Sequence, residues 1–170
     1  MKNEKVKIEI HLVISIIAFI AFVIVAFLVG NDIRIFRIIG HSMNPTLYEK
    51  NIVITKPQKE YKRGDIIAFK KDGGPTIKRI IGLPGDTIFI DENGIVSVND
   101  KVLEEPYVVY HQMMPPDLEF PITLKEDEYF VLGDNRQNSR DSRERTFGNI
   151  HEDEIIGKVV KSIIPFKDIK

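Results

Sequence analysis

The first apolar pattern is an unbroken run near the beginning of the chain. Every position from Leu12 to Val29 is apolar except Ser15, and no polar face repeats along the run. As a helix rising about 1.5 Å per residue, residues 11–29 span about 28 Å, close to the ~30 Å hydrocarbon core of a bilayer. The lack of a polar face excludes an interfacial amphipathic helix. The pattern therefore predicts a transmembrane anchor over residues 11–30, after a short tail at residues 1–10.

A cleaved secretory signal sequence is the main alternative for this segment. Its apolar region should be about 7–15 residues long and should end at small residues two positions apart. Here the run is longer, and Leu28 and Gly30 make a poor cleavage pair. We therefore favour a retained anchor. Basic residues do not orient it, because three precede the span and three follow it nearby.

Beyond residue 30 the pattern changes to short β-branched and aromatic runs separated by turn residues. Glu92-Asn93-Gly94 between two such runs is a hairpin signal. Residues 104–121, which contain four prolines, are typical of an irregular excursion. We predict a mainly β domain over residues 31–170, built from folded antiparallel sheets or a partial barrel. The predicted strands are residues 51–55, 65–70, 76–81, 87–90, 95–98, 102–103, 128–132 and 155–164.

Composition excludes some chemistry without selecting a function. The formal net charge is −1 at pH 7, so no basic field indicates nucleic-acid binding. Cysteine is absent, which removes disulfides, thiol nucleophiles and thiolate metal sites together. The histidines, at positions 11, 41, 111 and 151, are scattered, and no metal site is predicted.

Three polar patches interrupt the apolar runs. The first is Gly40-His41-Ser42-Met43-Asn44-Pro45-Thr46-Leu47, the second begins at Lys78, and the third extends from Gly133 to Arg143. Together they offer a hydroxyl nucleophile, an amine base and a set of side chains to hold them.

A serine hydroxyl is a poor nucleophile until a base takes its proton. His41 is adjacent to Ser42, but neighbours in an extended chain point to opposite faces, so a Ser-His-Asp triad is unsupported. Lysine serves instead if burial lowers its pKa from about 10.4, and apolar neighbours flank Lys78. Plain alternatives remain open: a surface lysine on an edge strand, a serine in an ordinary turn, and a solvated loop of salt bridges at residues 133–143.

The patches resemble conserved boxes of bacterial type I signal peptidases. The resemblance is carried by Ser-Met-x-Pro-Thr-Leu, Lys-Arg-Ile-Ile-Gly-Leu-Pro-Gly-Asp and Gly-Asp-Asn-Arg-x-x-Ser-x-Asp-Ser-Arg. Residues 63–69 and 147–158 are similar to two further boxes. The order matches that of the family, an apolar span precedes the boxes, and the short chain is similar to the compact Gram-positive form.

The resemblance implies a membrane-bound serine endopeptidase that removes signal peptides from exported preproteins without a metal or organic cofactor. It implies Ser42 as nucleophile and Lys78 as general base. It also implies that Ser139 hydrogen-bonds and orients the lysine, and that a supporting network is formed by Asp141, Arg143, Asp134 and Arg136. The oxyanion would bind the amide N–H of Ser42, with help near Gly40, where some family members carry a serine.

The same resemblance implies a bacterial cell membrane location, with a cytoplasmic N-terminus and an extracytoplasmic catalytic domain. The expected partners are signal peptides and the lipid bilayer, and no nucleic acid. Because the substrate presents small residues at the first and third positions before the cut, we expect a shallow apolar pocket. Met43, Pro45 and the residues after Gly30 are expected to rest against lipid.

Two other function classes compete with this hypothesis. A self-cleaving repressor-type protease shares the Ser-Lys chemistry, but it should carry a DNA-binding or polymerase-interacting segment where this chain has a hydrophobic span. A catalytically silent, membrane-anchored binding module should have lost the serine or the lysine, and both are present.

Overall fold

The chain divides into two compact units in the computed structural model, which describes residues 2–71, 73–109 and 118–168. The first unit ends at Arg34 and the second begins at Ile35. The first contains one helix, α1 (Lys2–Gly30), so the residues that the sequence assigned to a tail are helical from Lys2 onward. Its apolar window, Ile10–Phe27, is long enough to cross a membrane.

Helix α1 ends where Asn31 hydrogen-bonds a carbonyl group of its last turn and Asp32 turns the backbone away. Asn31 donates hydrogen bonds to the Phe27 carbonyl oxygen from its backbone N–H (3.2 Å) and from its side-chain amide (2.9 Å). Asp32 then takes a positive φ of 50°, which diverts the backbone from the helical path.

The rest of the described chain forms strands and one short 3-10 helix. The 3-10 helix is Glu152–Glu154. The strands are β1 (Arg34–Arg37), β2 (Ile52–Lys56), β3 (Ile66–Lys71), β4 (Gly74–Gly82), β5 (Thr87–Ile90), β6 (Val96–Val98), β7 (Lys101–Val102), β8 (Ile122–Thr123), β9 (Glu128–Leu132), β10 (Ile150–His151), β11 (Ile155–Ile164) and β12 (Phe166–Asp168).

These strands form two sheets. The larger has the order β1-β2-β11-β3-β4-β9-β10, with β12 paired to β11, and the smaller has the order β7-β6-β5-β8. The pairings among β2 to β12 are antiparallel. The prediction of a mainly β fold is confirmed. Each predicted strand is present, with bounds shifted by at most about two residues. Part of the predicted excursion, residues 110–117, lies outside the described residues.

Strand β4 lies inside the larger sheet, between β3 and β9. Lys78 is paired with Ile67 of β3, and Arg79 with Leu132 of β9. Residues 78–82 are all buried, as expected for a strand covered on both faces. The alternative of a surface lysine on an edge strand is therefore wrong.

A buried apolar cluster supports the segment that carries Ser42. It contains Ile38, Met43, Leu47, Val53, Ile66 and Val159. The expectation that Met43 rests against lipid is wrong, because its side chain is only 2% exposed. The segment turns back on itself, with the Leu47 N–H donating to the Met43 carbonyl oxygen at 2.8 Å, and Met43 packs into the core.

Candidate active site

Ser42 and Lys78 meet although they are 36 positions apart. Ser42 lies in a turn segment between β1 and β2, and Lys78 lies in the interior of β4. The distance between Lys78 Nζ and Ser42 Oγ is 2.7 Å, which is a hydrogen bond. The predicted nucleophile and the predicted base are therefore within reach of proton transfer.

The surroundings of Lys78 favour its neutral form. The residue is only 4% exposed. Burial is the largest influence and lowers the pKa of the Lys78 amine. Among the charges, Asp141 and Asp134 act to raise that pKa and Arg143 acts to lower it, so the carboxylates near the lysine are partly offset by a guanidinium. The result is an amine that loses its proton more readily than an exposed lysine.

The third patch is a packed polar network, and the alternative of a solvated loop is wrong. Asp134, Arg136, Asp141, Ser142 and Arg143 are all buried. Asp141 accepts hydrogen bonds from Arg143 Nε at 2.7 Å and from the Gly133 N–H at 2.9 Å. Each buried charge thus has a partner, as low-dielectric surroundings require.

Ser139 lies beside this network, where its carbonyl oxygen is 3.4 Å from Arg143 Nη2, but its hydroxyl lacks the bond that the resemblance implied. Its Oγ is buried and has no hydrogen-bond partner among the described residues. A Cβ atom placed on Gly133 would lie 2.2 Å from Ser139 Oγ and 2.5 Å from the Ser42 carbonyl oxygen. Gly133 therefore occupies a space between the Ser42 backbone and Ser139 that only a residue without a side chain fits.

Asp134 connects the strand of the lysine to the segment of the serine. It accepts two hydrogen bonds from Arg79, from Nε at 2.9 Å and from Nη2 at 2.8 Å, and a short one from the Thr46 hydroxyl. Arg79 is the immediate neighbour of Lys78, and Thr46 follows Ser42 by four positions. Asn135 adds a second link, because its N–H donates to the Ser42 carbonyl oxygen at 3.0 Å.

Glu105 and Tyr107, in the described part of the excursion at residues 104–121, contact the same network. Glu105 forms a buried ion pair with Arg136, and each side chain is 2% exposed. Arg136 Nε also donates to the Gly133 carbonyl oxygen at 3.0 Å. The ring of Tyr107 lies 3.9 Å from the Arg79 guanidinium carbon, in a cation–π arrangement. Sequence reasoning gave Thr46, Arg79, Glu105 and Tyr107 no role.

The backbone at Gly40 has a conformation that suits glycine. Its φ is +83°, in the left-handed region where a side chain is strained. Gly40 and His41 line one cavity together with Ser42 and Lys78. The expectation that His41 faces away from Ser42 assumed an extended chain, whereas this segment is a series of turns.

Two cavities adjoin the Ser42–Lys78 pair. The first, of about 260 Å³, has mainly apolar walls that include Phe36, Ile38, Ile39, Met43 and Ile77. The second, of about 330 Å³, has more polar walls that include His41, Asn138 and Arg140. Ser42, Thr76 and Lys78 line both. The first has the apolar character expected for small residues before a cut.

Comparison with known proteins decides the family. The model of the family "Signal peptidase, peptidase S26" matches residues 7–164. The chain belongs to this family. The predicted family and its serine endopeptidase activity are therefore confirmed, and a catalytically silent module loses its support.

Individual signal peptidases are similar along most of the chain. Signal peptidase I U of Bacillus subtilis (strain 168) is 37% identical over 180 aligned positions, which cover 99% of this chain and 94% of that one. Signal peptidase IB of Staphylococcus aureus (strain COL) is 35% identical, covering 89% of this chain and 88% of that one. The crystal structure of a signal peptidase I from Enterococcus faecalis V583 matches with a TM-score of 0.50 and 32% identity, covering 59% of this chain and 97% of that one.

Proposed function

We propose that this chain is a membrane-anchored signal peptidase in which Ser42 is the nucleophile and Lys78 is the general base. The observation that carries the assignment is the 2.7 Å hydrogen bond between Ser42 Oγ and a lysine amine that is almost fully buried. A base must be within hydrogen-bond distance of the proton that it takes, and its pKa must be near the working pH. The position and the burial of Lys78 support both requirements.

The reaction begins with the neutral amine of Lys78. It accepts the proton of the Ser42 hydroxyl while Oγ attacks the carbonyl carbon at the cleavage site. The oxyanion that forms binds the Ser42 amide N–H, and the open backbone near Gly40 leaves room for it. Lys78 then gives the proton to the leaving amine, and a water molecule activated by the same amine hydrolyses the acyl-enzyme.

The supporting residues act by holding Ser42 and Lys78 in position. Asp141 and Arg143 hold the loop of residues 133–143 by a buried ion pair. The other end of the loop is fixed by two more ion pairs, one between Asp134 and Arg79 and one between Arg136 and Glu105. The buried Ser139 hydroxyl has hydrogen-bonding capacity that the described residues leave unused, which supports a role in orienting the lysine amine during the reaction.

The substrate is an exported preprotein whose signal peptide occupies the apolar cavity. Ile39 and Ile77 among its walls suit small apolar side chains before the cut. The apolar window of α1 supports a single membrane span. In this proposal the N-terminus lies in the cytoplasm and the β domain outside it. The lipid bilayer then confines enzyme and substrate to one plane, which raises their effective concentration.

The test is cleavage of a purified exported precursor by the full chain in detergent, with sequencing of the new N-terminus of the product. Ser42→Ala and Lys78→Met should each reduce turnover by about a thousandfold or more. Ser97→Ala and Lys101→Met, which alter the same residue types in β6 and β7, serve as matched controls. Turnover by Lys78→Met near the level of its control would remove the lysine from the mechanism.

A further inference from the structure

The polar cavity beside Ser42 is not needed for the residues that precede the cut. It has a volume of about 330 Å³ and shares Ser42, Thr76 and Lys78 with the apolar cavity. A peptide cleaved by Ser42 has to cross the pair and leave residues on both sides. If the proposed function holds, the signal peptide lies in the apolar cavity, and the first residues of the mature protein enter the polar one.

The size of the polar cavity suits a short stretch of extended chain. An extended peptide advances about 3.3 Å per residue, and the cavity has room for a short stretch of such a chain, which we take as the first three residues after the cut. Its walls among the described residues include His41, Asn138, Arg140 and Phe147, and they contain no carboxylate. A bound side chain therefore meets hydrogen-bonding groups and a positive charge.

Arg140 supplies that positive charge. Its Nε lies 3.3 Å from Glu144 Oε2 in an ion pair whose side chains are 52% and 42% exposed. The guanidinium also lies 5.9 Å from the centre of the Phe147 ring, which borders the same cavity. An ion pair so exposed contributes little to stability, so a substrate carboxylate can replace Glu144 as the partner of Arg140 at little cost.

The other charged groups at the cavity do not oppose a carboxylate. Lys78 is the amine whose pKa burial lowers, and in its neutral form it is indifferent to the charge of the substrate. His41 is exposed and carries no negative charge, so it does not repel a carboxylate. Glu144 is a negative group that contacts Arg140, and it competes with the substrate for the guanidinium.

We propose that the polar cavity binds the first residues of the mature protein and that Arg140 selects an acidic side chain among the first three of them. Arg140 is then a specificity-determining residue that contacts the substrate outside the Ser42–Lys78 pair. Precursors with Asp or Glu just after the cut are cleaved faster than precursors with a neutral or basic residue there.

The experiment uses the full chain in detergent and a set of peptides that share every residue before the cut. The peptides carry Asp, Asn or Lys in turn at each of the first three positions after it. The ratio of kcat/KM for the best Asp peptide to that of its Asn counterpart should be about fivefold at low salt, and it should fall as salt is added.

Variants identify the group responsible for the ratio. Arg140→Gln should bring it to about one, and Arg140→Glu should favour the Lys peptide. Glu144→Gln removes the internal competitor and should raise the ratio above the wild-type value. Arg145→Gln is the matched control, because this exposed arginine belongs to the same loop and is not among the residues that line the cavity; it should leave the ratio unchanged.

The outcomes separate this inference from the proposed function. A ratio that is the same in wild type and in Arg140→Gln, or that Arg145→Gln changes equally, overturns the role of Arg140. A ratio near one at all three positions, with cleavage still abolished by Ser42→Ala, overturns the inference and leaves the proposed function intact. Cleavage that persists in Ser42→Ala contradicts the proposed function itself.

Discussion

At the scale of single residues, the burial of Lys78 has consequences for stability as well as for catalysis. In the unfolded chain its amine is in water and has an ordinary pKa, whereas burial lowers the pKa in the folded state. Between these two pKa values the unfolded state binds one more proton, so stability rises with pH across that range. At neutral pH the folded protein is therefore less stable with Lys78 than it would be with an apolar residue at this position.

Lys78→Met should thus increase the free energy of unfolding at pH 7 by on the order of 1 kcal/mol while it abolishes turnover. The gain should shrink as the pH is raised towards about 10.4, where an unfolded lysine also loses its proton. Thermal unfolding of the full chain in detergent, followed at several pH values, measures both effects. Lys101→Met, at an exposed position of β7, is the control, and an equal response in both variants would contradict the explanation.

The pH dependence of catalysis follows from the same lowered pKa of Lys78, and it has the same direction as the pH dependence of stability. Activity requires the neutral amine, so kcat/KM should rise with pH through the lowered pKa of Lys78 and then level off. The rising limb should lie below the value of about 10.4 expected for an exposed lysine. A pH–rate profile with one peptide substrate measures it, and a rate still climbing at pH 10 would argue against a neutral buried base.

Gly133 is a second residue for which a single substitution should affect both stability and activity. A methyl group there would lie 2.2 Å from Ser139 Oγ and 2.5 Å from the Ser42 carbonyl oxygen, so neighbouring groups have to move. Gly133→Ala should cost about 1–3 kcal/mol of stability and reduce kcat/KM at least about tenfold. Gly74→Ala, in β4 with open space around its Cβ position, is the control that should retain activity.

At the scale of elements, the interaction that holds the serine segment to β4 passes through Asp134. Thr46 donates a hydrogen bond to this buried carboxylate, which Arg79 holds from the other side. Thr46→Val keeps the shape of the side chain and removes the bond. We expect a loss of about 1–2 kcal/mol in stability and a larger loss in kcat than in substrate affinity.

Steady-state kinetics with one peptide separate kcat from KM for this variant. Thr123→Val is the control, because its hydroxyl bonds to Thr87 at an exposed site in the smaller sheet. A Thr46→Val enzyme with wild-type kcat would show that the segment keeps its position without the bond.

The sequence predicted most strands because each consists of a run of β-branched or aromatic residues long enough to show a pattern. The strands it missed are short: β1 has four residues and begins and ends with arginine, β8 and β10 have two residues each, and β12 has three and follows Pro165 directly. Such segments give little or no periodicity. Their pairing to β2, β5, β9 and β11 comes from tertiary contact instead.

The residues of the candidate site were predictable where they lie in a continuous sequence motif. Ser42, Lys78 and the loop of residues 133–143 lie in continuous motifs. Glu105 lies in a stretch without regular pattern, and its partner Arg136 is 31 positions away. Arg79 and Thr46 were overlooked because their common partner, Asp134, is 55 and 88 positions distant. Long-range polar contacts of this kind leave no mark in local sequence.

At the scale of the whole molecule, the division at Arg34 and Ile35 separates the apolar helix from the β domain. The buried clusters and the Ser42–Lys78 pair all lie in the second unit. A fragment of residues 35–170 should therefore fold and cleave a short soluble peptide at a rate within about tenfold of the full chain. On a precursor embedded in vesicles it should be slower by about a hundredfold, since the gain in effective concentration is lost.

Parallel assays of both proteins on both substrates measure this difference. The soluble peptide serves as the control for intact chemistry in the fragment. Equal loss on both substrates would mean that the helix is needed for the fold or for catalysis, and not for meeting the substrate in the membrane.

The position of β4 also determines at which stage of folding the enzyme gains proteolytic activity. Its neighbours are β3, made early in synthesis, and β9, made more than forty positions later. Until β9 has emerged and paired, Lys78 remains hydrated, keeps its proton and leaves Ser42 inert. An incompletely folded chain therefore holds both reactive groups in an inactive state, and proteolysis starts only when the sheet around the lysine is complete.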